Sequence, residues 1–446
     1  MRAVLFALLV TACSHASESV KLYEHGDYAG AAKAADEGLA DHPNDDTLWG
    51  MRVRSALALG DGATVAKSYG DYTAKRGDDD KELLRDLAEA TLIQAIQSPS
   101  SKLKLRAIET IEDIQLEDLS EDVAQAMGDK DDVVQAAASV AVLHGFQQAA
   151  QVADDMLHSE NASARAIALA GVAKKIGKPA LPDIEKAASD HDPRVRAIAV
   201  RYLGKYQDKD AVEICTKRLH DPDESVRAAA ATALAQIGLG DTPAVAKTAL
   251  ADKSRTVRLA GVAILDDEMK LEALSADPDP VIALEAAIRV KVRRPELAAN
   301  AVKTAIGSED WTIRAGAANS LSRAVDNATA ITIAKQLATD PEVGVRLAAA
   351  RALLHAGERD DAKKIFAAAL TEIDAAADLS ALHDPQGLTA LGELTSDPKR
   401  TPEQRASAAA AHRTARIVTP ALVAALADSS GLVRVEAAAS IAALSK

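Results

Sequence analysis

The chain has 446 residues, 48% of them hydrophobic but only 2% aromatic, enough for two or three ordinary cores or one long repeated core, but without the rings to centre a globular one. Its formal charge of −14, from 66 acidic and 52 basic residues, argues against a nucleic-acid backbone as ligand and against adhesion of the protein surface to anionic lipid. Two cysteines, Cys13 and Cys215, make neither a disulfide framework nor a CxxC metal spacing.

In chain order, Met1-Arg2 is a minimal basic start, and Ala3 to Val10 is an apolar run too short to span a membrane. It ends in Val10-Thr11-Ala12-Cys13, which resembles a bacterial lipobox. That resemblance implies a signal peptide over residues 1–12, cleavage before Cys13, and acyl chains on Cys13 that hold a soluble domain on a bilayer. Ser14 after the cysteine resembles an outer-membrane address of enteric-type bacteria. The brevity of the segment leaves an ordinary signal peptide or a misplaced start as the alternatives.

Residues 13–97 differ in character from the rest, with Tyr23, Tyr28, Tyr69, Tyr72 and Trp49 concentrated there. Leu22-Tyr23-Glu24-His25-Gly26-Asp27-Tyr28, with Ala31, Leu39 and Pro43-Asn44-Asp45, resembles a tetratricopeptide repeat. The resemblance implies a turn at Gly26-Asp27-Tyr28, a close helix crossing at Ala31 and a helix end before Pro43. A degenerate second unit starts near Trp49 and turns at Gly60-Asp61. Asp78-Asp79-Asp80 then opens a helix carrying Leu83, Leu84, Leu87 and Leu92 at helical spacing.

From residue 98 to residue 446 a unit of about 31 residues recurs. Asp190, Asp221 and Asp252 start successive copies, each followed six residues later by Arg196, Arg227 or Arg258. Asp340 with Arg346 and Asp428 with Arg434 keep the offset, and Ser308 with Arg314 keeps it without the carboxylate. In one unit Leu181, Ile184, Ala187 and Ala188 predict a short first helix, and Asp190-His191-Asp192-Pro193 the turn. Val195, Ile198, Ala199, Tyr202 and Leu203 then predict the apolar face of a second helix, stopped by Gly204. The next copy reads the same way, with Gly238 at the stop.

The recurring D-x-D/P-x-x-V-R-x-A-A-x-A-L-x-x-I-G resembles HEAT repeats of the short type found in phycobilisome lyases. Early copies are looser: Gln135 stands where Arg is expected, and Ser159 replaces Asp ahead of Arg165. Asp277-Pro278-Asp279-Pro280 comes after only 25 residues and has Ala283 at the Arg position. Between 372 and 397 the motif dissolves, and Ala375 to Asp384 reads as a divergent repeat or an excursion from the stack. The last unit stops at Lys446, as a cap or an open end.

The Arg column reads as a structural ladder, each guanidinium bonding a turn Asp of its own or a neighbouring repeat, rather than as a cationic stripe. Acidic groups such as Asp129-Lys130-Asp131-Asp132, Asp266-Asp267-Glu268 and Asp277-Asp279 fall at turns and read as helix caps, lacking the pattern of a calcium loop. The ten His are scattered, with His191, His220 and His383 each before an Asp, and read as surface turn residues with no metal pairing. Cys215 reads as a small core residue. Tyr69 and Tyr72 fit the tetratricopeptide pattern poorly and are the candidate partner contacts.

The fold class expected is all-α: a right-handed α-solenoid, or superhelix, of about ten HEAT-like helix pairs preceded by tetratricopeptide-like helices. Such stacks present long surfaces, so the expected role is a non-catalytic scaffold for other proteins. It would carry no cofactor and no metal, bind no nucleic acid, and be lipid-anchored at Cys13 in the cell envelope, on the outer membrane facing the periplasm. The alternative implied by the lyase resemblance is a lyase or isomerase acting on a bound cofactor or protein substrate. A peptide or polysaccharide binder is a third reading, for which Trp311 is the one Trp in the repeats.

Overall fold

Asp192 accepts the backbone N–H of Arg194 and Pro193 occupies the first helical position, so the turn residues start the helix Pro193–Tyr206. On that helix Val195, Ala199, Val200 and Leu203 are buried, facing the preceding helix Leu181–Ala187 and the neighbouring repeats. Each such Val or Leu removed from water stabilises the stack by about 2 kcal/mol. The helix does not end at Gly204, as its residue type suggests. It continues to Tyr206, and Gln207 takes the left-handed position at φ 53°. Gly204 instead faces the next second helix, where a Cβ would lie 2.5 Å from the Ala233 Cα. Gly238 does terminate its helix, at φ 69°.

The computed structural model describes residues 15–238 and 242–446. The expected leader at 1–12 and Cys13 lie outside the described residues. Every regular element among the described residues is helical. They divide into two compact units, one from Ala124 to Ala368 and one made of the residues up to Val123 together with Ala369–Lys446.

In the unit from Ala124 to Ala368 the second helices Asp132–Ala141, Ala162–Ile176, Pro193–Tyr206, Glu224–Ile237, Arg255–Ile264, Pro280–Val290, Trp311–Ala324 and Val343–His355 lie side by side in chain order. Each is backed by the helix before it, and the crossings are close because small residues dominate them. A Cβ on Gly171 would lie 2.2 Å from the Val140 side chain, so this position requires glycine for the approach.

The other unit joins the two ends of the chain. Ile373–Ala381, Pro402–Ala415 and Gly431–Leu444 lie side by side, and Lys81–Ile96 continues the row after Gly431–Leu444. In the second row Pro385–Ser396 and Pro420–Ala424 are followed by Gly62–Arg76. Residues 375–384 are therefore a divergent repeat inside the stack, not an excursion. The last helix is neither a cap nor an open end, because Lys81–Ile96 and Ser101–Ile114 cover it. The sequence boundary at 97/98 falls between those two helices, inside this unit.

The joint is polar as well as apolar. Glu436 is only 2% exposed and takes a 2.5 Å bond from Arg106 Nε, with Arg413 at 3.7 Å. Lys81 Nζ donates to the Lys446 carbonyl at 2.8 Å. Among residues 15–97, Gly26 and Gly60 are left-handed, and Asp27, Asp45, Asp61 and Asp80 each cap the helix that follows them.

Candidate interaction surface

The ladder is built forward along the chain. Arg196 donates to the Asp221 carboxylate through Nε and Nη2, at 2.9 and 2.7 Å. Its Nη1 donates to the Asp190 and His191 carbonyls, at 2.9 and 3.0 Å. This guanidinium thus binds the backbone of its own turn and the carboxylate of the next. Arg165 with Asp190, Arg227 with Asp252, Arg314 with Asp340 and Arg405 with Asp428 repeat the two-bond geometry. Arg258 reaches Asp279 rather than Asp277, at 2.9 Å, where the repeat is shortened. Arg346 and Arg434 donate to their own turns, at the Asp340 and Asp428 carbonyls.

Where the Arg is missing, its forward carboxylate is missing too. Gln135 stands in the Arg position and reaches the Asp129 carbonyl at 2.5 Å, and the next turn carries Ser159 in place of Asp. Ala283 stands in the Arg position, and the next turn carries Ser308. A half-buried carboxylate without its guanidinium is costly, whereas a hydroxyl at the turn still accepts a backbone N–H. Ser159 does so from Asn161, and Ser308 from Asp310.

The electrostatics follow the pairing. Burial pushes the Asp221 carboxyl up, but the Arg196 guanidinium and the Asp223 N–H outweigh it and hold the carboxyl below its usual range. The Arg227 guanidinium does the same for Asp252, here as the largest cause. These carboxylates are ionised and occupied, which leaves them no proton to exchange with a substrate.

Tyr69 and Tyr72 are not partner contacts. Both are 1% exposed, with their hydroxyls bonded to Asp79 at 2.6 Å and Asp80 at 2.7 Å. Tyr72 also stacks on Trp49, ring centres 6.0 Å apart. Their phenols lie well above the ordinary tyrosine range, through burial first and the bonded carboxylates second. These are core residues, tying the Asp78–Asp80 turn to the helix Gly62–Arg76.

His191, His220 and His383 are exposed in turns, but His412 departs from the surface reading. It is fully buried on Pro402–Ala415, bonded at Nδ1 to the Ala408 carbonyl and at Nε2 to the Thr419 hydroxyl. Burial lowers it to about 4, so it is neutral at pH 7. Its signal was an apolar register position after four alanines, Ala408 to Ala411, invisible to a search for metal spacing. Cys215 is buried, free and raised to about 12 by desolvation, which leaves no reactive thiolate.

Asp131, Asp267 and Asp279 cap helix N-termini. No group of three His, Cys, Asp or Glu able to hold a metal occurs among the described residues. The cleft between Leu370 and Arg400 has a volume of about 700 Å³ and is lined by Pro385, Thr389, Glu393 and Leu394. Trp311, 47% exposed, lies over Gly344 at the start of a second helix.

The HEAT-repeat family model matches residues 150–235, 181–265 and 269–355. Among solved structures the chain is similar to an engineered protein at 21% identity, covering 88% of this chain and 99% of that one, TM-score 0.27. A Kap121p mutant is similar at 16% identity over 80% of this chain and 48% of its own, TM-score 0.35. The complex of CpcE and CpcF of phycocyanin lyase from Nostoc sp. PCC7120 is similar at 19% identity over 66% and 94%, TM-score 0.23. No curated protein matches the sequence.

Proposed function

We propose that the chain is a non-catalytic scaffold that holds other proteins on its stacked second helices, tethered through lipid at Cys13 to the outer membrane and facing the periplasm. One observation carries the scaffold part: the recurring charged residues of the repeats bond one another from turn to turn, as Arg196 does Asp221. Their chemistry serves the stack, and the remaining second-helix surface is extended in the manner that repeat proteins use for binding. The anchor rests on the apolar run before Cys13 and its lipobox-like end.

The test is in-cell crosslinking of the tagged protein, followed by detergent extraction and mass spectrometry. A stoichiometric envelope partner, with Cys13 acylated in the same sample, is the expected result. A cytosolic, unprocessed chain would overturn the anchor and the location. An absorbance band in the visible in purified protein would move the reading toward action on a bound chromophore.

A further inference from the structure

The charge of the second-helix row is not that of the chain. The neighbouring helices Ala162–Ile176 and Pro193–Tyr206 carry seven Lys and Arg and no Asp or Glu. Arg165 and Arg196 belong to the ladder, and Lys175 donates to the Val140 and Ala141 carbonyls at 2.6 and 3.0 Å. Arg194 is committed to Asp192, at 3.0 and 2.9 Å. Lys174, Arg201 and Lys205 remain, all exposed; Arg201 Nε also donates to the Ala197 carbonyl of its own helix at 3.3 Å, which leaves its two terminal nitrogens. Acidic residues of these repeats lie off the second helices, in the turns at Asp190, Asp192, Asp208 and Asp210 and on the first helices at Asp154, Asp155, Asp183 and Glu185.

The two helices are joined at this place. Tyr202 donates to the Ala170 carbonyl at 3.2 Å and Tyr206 to the Ala173 carbonyl, so residues 201–206 lie beside residues 170–174. The two rings are 5.7 Å apart, and Lys205 Nζ lies 5.3 Å from the Tyr202 ring centre. Lys174 and Lys205 occupy the same register one repeat apart. In the following repeat that register holds Gln236, and Thr232 stands where Arg201 does. The basic surface of these two repeats is therefore interrupted at the repeat that follows, and it carries a half-buried tyrosine pair, Tyr202 and Tyr206.

We propose that Lys174, Arg201 and Lys205, with the Tyr202–Tyr206 pair, form the docking surface for a short acidic segment of a partner protein. The inference rests on the scaffold reading and deepens it. Arg201 and Lys205 are one helical turn apart, about 6 Å, and stacked helices lie about 8–10 Å apart, spacings that two or three carboxylates of a peptide can match. Arg forks a carboxylate, Lys meets one as a point charge, and the tyrosine rings give apolar area between them. A nucleic-acid strand needs a longer basic track than three cations.

The experiment measures fluorescence anisotropy of labelled hexaglutamate on the full chain, with hexaglutamine and a single-stranded hexanucleotide as controls. The comparison protein carries Lys174→Glu, Arg201→Glu and Lys205→Glu, all at exposed positions, and its melting temperature is measured alongside to confirm that it is folded. The triple variant is expected to lose at least about tenfold in hexaglutamate affinity, with the difference shrinking as salt rises. Lys205→Arg is expected to retain binding. Equal affinity in the two proteins would overturn the proposal, as would tighter binding of the hexanucleotide. The scaffold reading fails separately: if wild-type protein crosslinks to no partner while the hexaglutamate difference stands, the scaffold falls and the surface survives. If the triple variant captures the wild-type partner in full yield, the surface falls and the scaffold survives.

Discussion

Arg227 binds the Asp252 carboxylate, 25 residues ahead, by two bonds of 2.7 and 2.9 Å, while its third nitrogen holds the Asp221 and Pro222 carbonyls behind it. One side chain therefore closes its own turn and clamps the next. The clamp tolerates small changes of spacing: Arg314 holds Asp340 26 residues ahead, Arg405 holds Asp428 23 ahead, and at the shortened repeat Arg258 takes Asp279.

Arg227→Ala is expected to lower stability by about 2 to 3 kcal/mol, because it strands a half-buried Asp252 and two carbonyls. Partner binding is expected to survive in the fraction that remains folded. Combining Arg227→Gln with Asp252→Ser copies the Gln135 and Ser159 positions and is expected to recover part of that loss. Chemical denaturation of the single and double variants measures the coupling. An additive double variant would mean that the pair does not act as one unit.

Two glycines that look alike in sequence are expected to fail differently. Gly204→Ala puts a methyl 2.5 Å from the Ala233 Cα, forcing two helices apart at about 1 to 3 kcal/mol. Gly238→Ala has open space around it but a φ of 69°, and is expected to cost about 1 kcal/mol of backbone strain. An Ala233→Gly substitution removes only the Ala233 Cβ, 2.7 Å away, and leaves the Cα clash, so it is expected to recover a minor part of the first loss and none of the second, which melting curves of the double variants will show.

His412 makes stability depend on pH above the range of the carboxylates. Its folded value is about 4 against 6.5 for the free side chain, so the unfolded chain binds the proton more readily. Its contribution is fully present above pH 6.5 and is lost as pH falls toward 4, on the order of 3 kcal/mol in all. His412→Gln is expected to flatten the denaturation midpoint between those two values. Asp221 and Asp252, held low in the fold, keep their contribution down to about pH 4 and lose it below. A variant that retained the full slope from 6.5 to 4 would assign it to another group.

Ending the chain at Ser430 removes the helix on which Lys81–Ile96 and Ser101–Ile114 pack, and with it Glu436. Amide exchange in those two helices is expected to rise by orders of magnitude, while Pro193–Tyr206 keeps its protection. Unchanged exchange at Lys81–Ile96 would show that the N-terminal helices fold without the end of the chain.

Much of the molecule was legible in the residues. The 31-residue period, the capping Asp at each turn, the Pro at the first helical position and the apolar faces are local properties, set by spacing along one helix and by the needs of its orphan N–H groups. The ladder was legible as to its members but not its direction, since Asp190 lies six residues before Arg196 whereas the carboxylate that Arg196 holds lies 25 beyond it. Tertiary structure alone decided that Gly204 is a contact rather than a stop, and that Tyr69, Tyr72 and His412 are core residues. It alone seated the last helix against Lys81–Ile96. The physical reason is common to all of these. A cap or a helix face is satisfied within a few residues of itself, but burial and close approach depend on which distant helix arrives alongside, and no local spacing carries that partner's identity.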